Sequence, residues 1–197
     1  MTSVPVTAVV LAAGSSRRLG TPKQLLPFGD TTVLGASVDA ARDCRFDQII
    51  VTLGRAASAV RAAVALDDVD VVTVDDFASG CSASLRGALP QVDPGAAGIV
   101  LLLGDQPTVA PHTVDRLIAE GAFAPIAVCR YRDGLGHPFW LSRSVFGALA
   151  DLHGDKGVWK LVESGQFAVR EIPVDGAVPP DVDTWDDYQR LLASVPR

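Results

Sequence analysis

Three cations follow a strongly apolar segment near the amino end of the chain. Residues 6–12 are nearly all apolar, and Arg17, Arg18 and Lys23 lie in the glycine- and serine-containing stretch that comes next. Successive backbone N–H groups in such a loop bind phosphate oxygens, and arginine and lysine side chains neutralise their charge. The stretch contains neither the Gly-x-Gly-x-x-Gly dinucleotide pattern nor the Gly-Lys-Ser/Thr of the Walker loop. It predicts a phosphate-binding loop of another type, with a solvated surface loop as the alternative.

A second motif places a carboxylate directly after another apolar run. Asp105 follows residues 98–103, within Gly104-Asp105-Gln106-Pro107. A carboxylate at the end of a buried strand is partly desolvated, which is costly unless a cation is near. Because Mg²⁺ is usually held by one or two carboxylates together with substrate phosphates, Asp105 is a candidate metal ligand. A turn or helix-capping role is the alternative.

Further motifs contain residues that suit capping or binding. Ser82 or Ser84 is placed to cap or begin a helix that runs to Leu89. The N-terminus of a helix at this point would favour an anion. Thr184 is a predicted N-cap of the last helix, with acidic residues in its first turn. His112 and His153 have no metal-ligand spacing to any partner, and His137 is a single histidine, which is more often structural than catalytic.

The elements that must position these residues alternate between strand and helix. Short Val-, Ile- and Leu-rich runs predict strands at Val6–Ala12, Gln48–Leu53, Val69–Val74, Gly98–Leu103 and Pro125–Cys129. Helical spacing predicts helices at Thr32–Cys44, Ala56–Leu66, Ser82–Leu89 and Pro111–Glu120. The last third predicts strands at His137–Leu141 and Val169–Ile172, and helices near Ser144–Leu152, Gly157–Ser164 and from Thr184.

This alternation predicts an α/β fold with three layers, in which helices cover both faces of a mostly parallel sheet. Residues 1–197 show no linker rich in Gly, Ser or Pro, so a single Rossmann-like domain is expected. Ligands of such sheets bind at the carboxyl ends of the strands. The segments after Ala12 and Leu103 should therefore lie at the same edge.

Composition excludes several classes of protein. With 48% hydrophobic and 20% charged residues, the 197-residue chain is not a disordered protein. A formal net charge of −6 with no block of basic residues argues against nucleic acid or an anionic membrane as partner. The first residues, 1–5, lack the basic start of a signal peptide, and no apolar run is long enough to cross a bilayer. Three widely spaced cysteines indicate a reducing compartment, so a cytoplasmic location is expected.

The stretch Leu11–Lys23 resembles the Leu-Ala-Ala-Gly-x-Ser-x-Arg-Met-Gly-x-x-Lys signature of MobA-like nucleotidyltransferases, with Leu19 in the methionine position. Together with residues 24–29, it is most similar to the molybdenum cofactor cytidylyltransferase branch, and the similarity covers most of the chain. The resemblance implies a fold of the nucleotide-diphospho-sugar transferase type. It implies that Arg18 and Lys23 hold the triphosphate and, with Asp105, are catalytic. The implied nucleotide contacts of this loop, besides Arg18 and Lys23, are Leu11, Ala12, Ala13, Gly14 and Ser15.

The remaining motifs also match elements of that family. Gly80 and Ser84 correspond to a Gly-x-x-x-Ser-Leu element that contacts the nucleotide, although Val74-Asp75-Asp76 lacks the asparagine common there. The match to the Gly-Asp-x-Pro element implies that Asp105 is a ligand of the metal and a nucleotide contact. The Asp-Ile-Asp-Thr-Pro-x-Asp-Tyr element offers Asp181 and Asp183, of which we favour Asp183 as the second metal ligand. The implied contacts of the acceptor substrate are His137, Pro138 and Asp155.

The resemblance implies Mg²⁺-dependent transfer of CMP from CTP to a phosphorylated pterin, the molybdenum–molybdopterin cofactor, with release of pyrophosphate. A molybdenum hydroxylase would then receive the product. Three alternatives stay open: a guanylyltransferase that uses GTP, an NAD(P)H-dependent oxidoreductase, and a regulator that binds nucleotide without turnover. Ala13, in place of a second glycine, favours CTP through the resemblance. The missing dinucleotide pattern disfavours the oxidoreductase, and Lys23 with Asp105 disfavours the regulator.

Overall fold

The structure is a computed structural model that describes residues 5–194, so four of the residues on which the signal-peptide prediction rests lie outside it. The strands are β1 (Val6–Ala12), β2 (Pro27–Phe28), β3 (Thr31–Thr32), β4 (Gln48–Leu53), β5 (Asp70–Thr73), β6 (Gly98–Leu103), β7 (Ile126–Tyr131), β8 (Gly134–Ser142) and β9 (Val169–Pro173). The helices are α1 (Val33–Arg42), α2 (Ala57–Ala63), α3 (Cys81–Ala88), α4 (Pro111–Gly121), α5 (Phe146–Ala150), α6 (Gly157–Glu163) and α7 (Trp185–Ser194). Within these residues, no helix is both long and apolar enough to cross a bilayer.

The main sheet has the strand order β5-β4-β1-β6-β8-β7-β9. Strands β5, β4, β1 and β6 are mutually parallel, and β7 is parallel to β9, whereas β8 runs antiparallel to both of its neighbours. The predicted α/β fold with a mostly parallel sheet is therefore confirmed. Every predicted strand and helix is present, and their ends differ by a few residues. The largest differences are a shorter α2 and a longer β8.

Helices cover both faces of the sheet, as the apolar runs predicted. Alternate residues of β1 point to opposite faces, so Val10 and Val9 belong to two separate apolar clusters. On the first face, α1, α2 and α4 contribute buried side chains to the Val10 cluster. On the second, α3, α5 and α6 contribute them to the Val9 cluster. A sheet buried on both sides explains why its strands are almost continuously apolar.

A third apolar cluster fixes α7 against the loop that follows β1. Leu19 and Leu26 from the loop pack with Val182, Tyr188 and Leu191 from the carboxyl end of the chain. The Tyr188 hydroxyl also donates a hydrogen bond of 2.6 Å to the Pro27 carbonyl. This packing brings the Asp-rich segment before α7 to the cationic loop, although about 160 residues separate them in sequence.

The antiparallel strand β8 brings its amino end to the edge of the sheet where β1 and β6 end. Leu101 of β6 pairs with Phe139 of β8, so the residues preceding Phe139 lie beside the carboxyl end of β6. A register shift between β7 and β8 pairs Val128 with Phe139 but Cys129 with Gly136. His137 and Pro138 therefore form a bulge, a feature that re-aims side chains near functional sites.

Candidate active site

The loop after β1 is held by its own hydroxyl and carbonyl groups. Ser16 has a φ of 50°, and its carbonyl accepts hydrogen bonds from the backbone N–H groups of Leu19 and Gly20. Its hydroxyl accepts a 2.9 Å hydrogen bond from the Lys23 backbone N–H. Gly14 and Ser15 are exposed within the loop, whereas Leu19 is buried. The loop is therefore anchored by Leu19 while its glycine turn stays open to a ligand.

Four charged side chains meet at this edge, and we call Arg18, Lys23, Asp105 and Asp183 the charged cluster. The Lys23 ammonium donates hydrogen bonds to Asp105 Oδ2 at 2.5 Å and to Asp183 Oδ1 at 3.1 Å. Arg18 donates to the other Asp183 oxygen at 2.8 Å. The loops after β1 and β6 and the segment before α7 therefore meet at the Lys23 ammonium group. The meeting of Lys23 with Asp105 was predicted, because both follow strands that end at the same edge of the sheet.

Burial and charge pairing act together in the charged cluster. Burial alone would lower the pKa of Lys23, but the Asp105 and Asp183 carboxylates raise it above the ordinary value. Burial alone would raise the pKa of Asp183, but Lys23 and then Arg18 lower it. Burial, and then the Asp105 carboxylate, raise the pKa of the neighbouring Asp181. Lys23 therefore stays charged at neutral pH, and Asp183 stays ionised.

Close backbone packing sets the position of Asp105. Gly104 donates its N–H to the Leu11 carbonyl at 2.9 Å, continuing the pairing of β6 with β1. A β-carbon at position 104 would lie 2.8 Å from the Ala12 β-carbon and 2.9 Å from a Leu34 methyl group. Glycine is needed here because larger residues would push the Asp105 turn away from the end of β1.

Asp183 is positioned by the start of α7. Thr184 Oγ1 accepts a 3.2 Å hydrogen bond from the Asp187 N–H, which confirms the predicted N-cap. In return, Asp187 Oδ2 accepts from the Thr184 N–H at 2.8 Å, as in a capping box. Val182 is fully buried on the other side of Asp183. The side chain between these anchors projects toward Arg18 and Lys23.

The amino end of α3 is held differently from the prediction. Ser82 does not cap the helix: its hydroxyl donates to the Gly154 carbonyl at 2.6 Å, and the N-cap residue is Gly80. The Cys81 N–H instead donates to Asp155 Oδ1 at 3.2 Å. The predicted serine cap is wrong because residues 154–155, which are distant in sequence, pack against this helix end. They accept the hydrogen bonds from the Ser82 hydroxyl and the Cys81 N–H.

This arrangement joins a predicted nucleotide contact to a predicted acceptor contact. Gly80 has a φ of 91°, and a β-carbon there would lie 2.5 Å from Asp155 Oδ1. Burial, followed by the Asp155 and Asp105 carboxylates, raises the pKa of the Cys81 thiol. Gly80, Cys81 and Asp155 therefore lie together at the amino end of α3. Ser84 is only 4% exposed within α3, and its nucleotide contact stays a prediction.

His137 belongs to a neutral, aromatic region, which we call the aromatic cluster: His137, Phe139 and Trp159. The His137 ring stacks on Phe139 with centroids 4.2 Å apart, and Trp159 contacts both rings edge-on. The Tyr131 hydroxyl donates to the His137 carbonyl at 2.7 Å and fixes the bulge. Burial lowers the pKa of His137 to about 4, so the ring is uncharged at neutral pH.

Sequence reasoning missed four residues of this edge: Trp159, Cys81, Gln24 and Gln106. Trp159 gave no signal beyond an apolar position in a helix, and Cys81 was noted only as an unpaired thiol. Asp181, the alternative to Asp183 as a metal ligand, accepts a 2.8 Å hydrogen bond from Gln106 on its Oδ1. Two buried glutamines, Gln24 and Gln106, directly follow Lys23 and Asp105, a repeated pairing that the sequence itself displays.

A family model for the MobA-like NTP transferase domain matches residues 8–170. The chain is 31% identical, over 99% of its length and 100% of the relative, to the purine catabolism protein PucB of Bacillus subtilis (strain 168). It is 30% identical, over 95% of its length and 96% of the relative, to the nicotine blue oxidoreductase of Paenarthrobacter nicotinovorans. Both similarities span nearly complete chains.

Solved structures agree with this assignment. The crystal structure of Rv0371c from Mycobacterium tuberculosis H37Rv is 68% identical, with a TM-score of 0.94, covering 98% of this chain and 100% of that one. Rv0371c in complex with manganese gives 65% identity and a TM-score of 0.89, covering 97% and 100%. A nucleotidyl transferase from Methanothermobacter thermautotroptrophicus is 27% identical, with a TM-score of 0.79, covering 97% of each chain.

These similarities confirm the resemblance on which the nucleotide-binding roles of the loop and of the Asp105 turn were predicted. The matched region includes the cationic loop, the Asp105 turn and the whole aromatic cluster. The chain therefore belongs to the MobA-like NTP transferase domain family, within the nucleotidyltransferase superfamily.

Proposed function

We propose that this protein transfers CMP from CTP to the terminal phosphate of a molybdenum–molybdopterin cofactor, in the presence of Mg²⁺, and releases pyrophosphate. The observation that carries the proposal is the meeting of Lys23 with Asp105 and Asp183 at 2.5 and 3.1 Å, beside the glycine-containing loop. A polyphosphate and its divalent cation need this combination of fixed positive charge and carboxylate oxygen at one place.

The carboxylates of Asp105 and Asp183 fit a divalent cation. Both face a single positive charge, and hard oxygen ligands of this kind suit Mg²⁺ when substrate phosphates complete the coordination. The manganese complex of the 65% identical Rv0371c supports a divalent metal in this fold. When bound, the ion would supply neutralisation of the charge that develops on the phosphates.

The residues of this chain would act mainly by positioning and by neutralising charge. Lys23 and Arg18 would hold the triphosphate against the loop, with the N–H groups around Gly14 facing its oxygens. An oxygen of the acceptor phosphate forms a bond to the α-phosphorus of CTP as the bond to the pyrophosphate oxygen breaks. Since a phosphate monoester is largely ionised near pH 7, no side chain has to remove a proton. Burial lowers the pKa of His137 to about 4, which makes it a weak base, and the proposed step does not require one.

The acceptor side of the proposal rests on the aromatic cluster. A flat heterocycle such as a pterin binds proteins by stacking on rings and by a few polar contacts. His137 and Trp159, both half-buried beside the carboxyl end of β6, offer such a surface, and Asp155 lies at the adjacent helix end. We propose a molybdenum hydroxylase as the partner that receives the product, and the name of PucB, a purine catabolism protein, supports a metabolic role of this kind.

Pyrophosphate release, measured with CTP, GTP, ATP and UTP in Mg²⁺ with and without molybdenum cofactor, tests the proposal. We expect release with CTP only when the cofactor is present. The Asp105→Asn variant should lose on the order of 100-fold in kcat, whereas Asp115→Asn, a matched change on the exposed face of α4, should not. Preference for GTP would assign a guanylyltransferase, and full Mg²⁺-dependent turnover by Asp105→Asn would contradict the metal assignment.

A second candidate function has one observation in its favour, the 30% identical nicotine blue oxidoreductase. Under this hypothesis the same edge of the sheet would bind NAD(P)H and a pigment-like heterocycle. Fluorescence titration with NADH and NADPH separates the two candidates. Saturable binding of either cofactor together with hydride transfer, in the absence of pyrophosphate release from any nucleotide, would favour the oxidoreductase.

A further inference from the structure

Two members of the charged cluster, Lys23 and Asp105, are each followed in sequence by a buried glutamine. Lys23 precedes Gln24 and Asp105 precedes Gln106, and both glutamines are only 3% exposed. Glutamine is seldom fully buried, because its amide must find hydrogen-bond partners inside the protein. The repetition at two positions 82 residues apart points to a shared task.

The two amides make the same kind of contact. Gln24 Nε2 donates to the Ala12 carbonyl at 2.6 Å and to the Gly14 carbonyl at 3.0 Å. Gln106 Nε2 donates to the Pro179 carbonyl and to Asp181 Oδ1, both at 2.8 Å. All four partners are acceptors, so the amide nitrogen must face them, and an NH₂ group is the neutral donor that bridges two acceptors at once.

What each glutamine bridges is part of the site. Ala12 and Gly14 lie on either side of the bend that opens the phosphate-binding loop, and Gln24 ties both to the turn that carries Lys23. Pro179 and Asp181 belong to the segment that leads to Asp183, and Gln106 ties this segment to the turn that carries Asp105.

The oxygen of each amide, unlike its nitrogen, has no hydrogen-bond partner among the described residues. Gln24 Oε1 and Gln106 Oε1 are buried, and within residues 5–194 neither accepts a hydrogen bond. A buried carbonyl oxygen without a donor is unfavourable, whereas the NH₂ half of each amide pairs two acceptors that an apolar side chain would leave unpaired. Residues that break a packing rule in this way are expected at functional sites.

We propose that Gln24 and Gln106 are positioning residues with separate tasks: Gln24 sets the phosphate-binding loop relative to Lys23, and Gln106 sets the spacing of Asp105 and Asp183. The proposal rests on the nucleotidyltransferase function proposed above. Gln24 should therefore affect how tightly the nucleotide binds in the absence of metal. Gln106 should affect how tightly the divalent metal binds. Neither side chain has to touch a substrate.

Methionine substitutions at the two positions separate these tasks. We expect Gln106→Met to weaken Mn²⁺ binding about tenfold, the usual loss when a residue that orients a metal ligand is removed, with CTP binding in EDTA unchanged. We expect Gln24→Met to weaken CTP binding in EDTA about tenfold through misplacement of the loop, with Mn²⁺ binding unchanged. Mn²⁺ binding is followed by electron paramagnetic resonance and CTP binding by calorimetry.

The matched control is Gln48→Met at the amino end of β4, away from the strand ends that carry the site. Gln48 Nε2 also bridges two acceptors, Asp70 Oδ2 at 2.7 Å and the Gln91 carbonyl at 2.8 Å. This variant should change neither affinity. If either site variant fails to fold, its leucine variant, which also lacks the NH₂ group and adds no charge, replaces it with the same expected result.

Hydrogen exchange by mass spectrometry tests positioning without any ligand. We expect faster exchange in residues 180–184 for Gln106→Met and in residues 13–22 for Gln24→Met, and in neither segment for Gln48→Met. Unchanged exchange, or equal losses of both affinities in both variants, would overturn the proposal. If the exchange changes as expected but the wild-type protein releases no pyrophosphate, the proposed function fails while the positioning roles stand.

Discussion

The charged cluster and the aromatic cluster lie at the same edge of the sheet, yet they are built in opposite ways. Lys23, Asp105 and Asp183 come from three distant segments and are held by ion pairs, two of them on one ammonium group. His137 and Phe139 are two residues apart on β8, with Trp159 from α6 against both, and the contacts are stacking and edge-on packing of neutral rings.

The difference indicates a division of labour along this edge. Bringing two anions together requires positive charge that is fixed before the substrates arrive, and buried ion pairs fix it. A flat substrate ring requires an apolar surface instead. If His137 were charged, burying it under such a ring would be unfavourable. The low pKa of His137 is thus a property that suits an aromatic surface rather than phosphate binding. The predictions below break one cluster while leaving the other intact.

Removal of the central charge should have the largest effect. We expect Lys23→Met to lower kcat by 100-fold or more, because it deletes a preorganised cation and leaves Asp105 without its partner. Steady-state pyrophosphate release measures this. Lys160→Met, at an exposed position of α6, is the control and should retain normal turnover. A Lys23→Met enzyme with near-normal kcat would remove the charged cluster from the proposed chemistry.

The next effect is a pH dependence that belongs to the aromatic cluster alone. Burial lowers the pKa of His137 to about 4, below its value of about 6.5 in the unfolded chain. Between these values the unfolded chain binds a proton that the folded protein does not, so stability is complete above about pH 6.5 and falls as the pH drops toward 4.

We therefore expect His137→Phe to match the wild type near pH 7.5 and to exceed it by about 2 kcal/mol in free energy of unfolding near pH 4.5. Urea unfolding across this pH range measures the difference. The same substitution at the exposed His153 is the control. Parallel pH curves for wild type and His137→Phe would show that the ring is accessible to protons in the folded protein.

The two clusters also differ in how far the sequence predicted them. Lys23 and Asp105 each follow an apolar strand, and parallel strands end at one edge, so their meeting was predictable. Asp183 was favoured through the resemblance, but its contact with Lys23 depends on the packing of Leu19 against Tyr188, which no local pattern encodes.

The rest could not be predicted because it depends on contacts between distant segments. Ser82 has the sequence of a helix cap, and only the packing of Gly154 against it redirects its hydroxyl. Gln24 and Gln106 are ordinary polar residues in the sequence, and their burial becomes visible only with the carbonyl groups they bridge. Trp159 required the position of α6 relative to β8.

A smaller effect should separate the two substrates. We expect Trp159→Leu to raise the KM of the acceptor about threefold to tenfold, the range of an aromatic contact, and to leave the KM of CTP unchanged. Leucine keeps an apolar side chain where Trp159 packs on Phe139. The control is Trp185→Leu on the exposed surface of α7. An equal rise in both KM values would show that the aromatic cluster does not distinguish the acceptor from the nucleotide.

The smallest effect concerns Arg18, the exposed member of the charged cluster. Its side chain is 69% exposed and pairs with Asp183, so Arg18→Gln should change the free energy of unfolding by less than about 1 kcal/mol, as should the control Arg116→Gln on α4. Because an exposed guanidinium is screened by salt, the loss in CTP affinity should be about threefold at low ionic strength and should shrink at high salt. Lys23, 16% exposed and enclosed by two carboxylates, should show little such salt dependence. A large, salt-independent loss for Arg18→Gln would mean that Arg18 is as well shielded from solvent as Lys23 when CTP is bound, and the contrast between an enclosed and an exposed cation would be wrong.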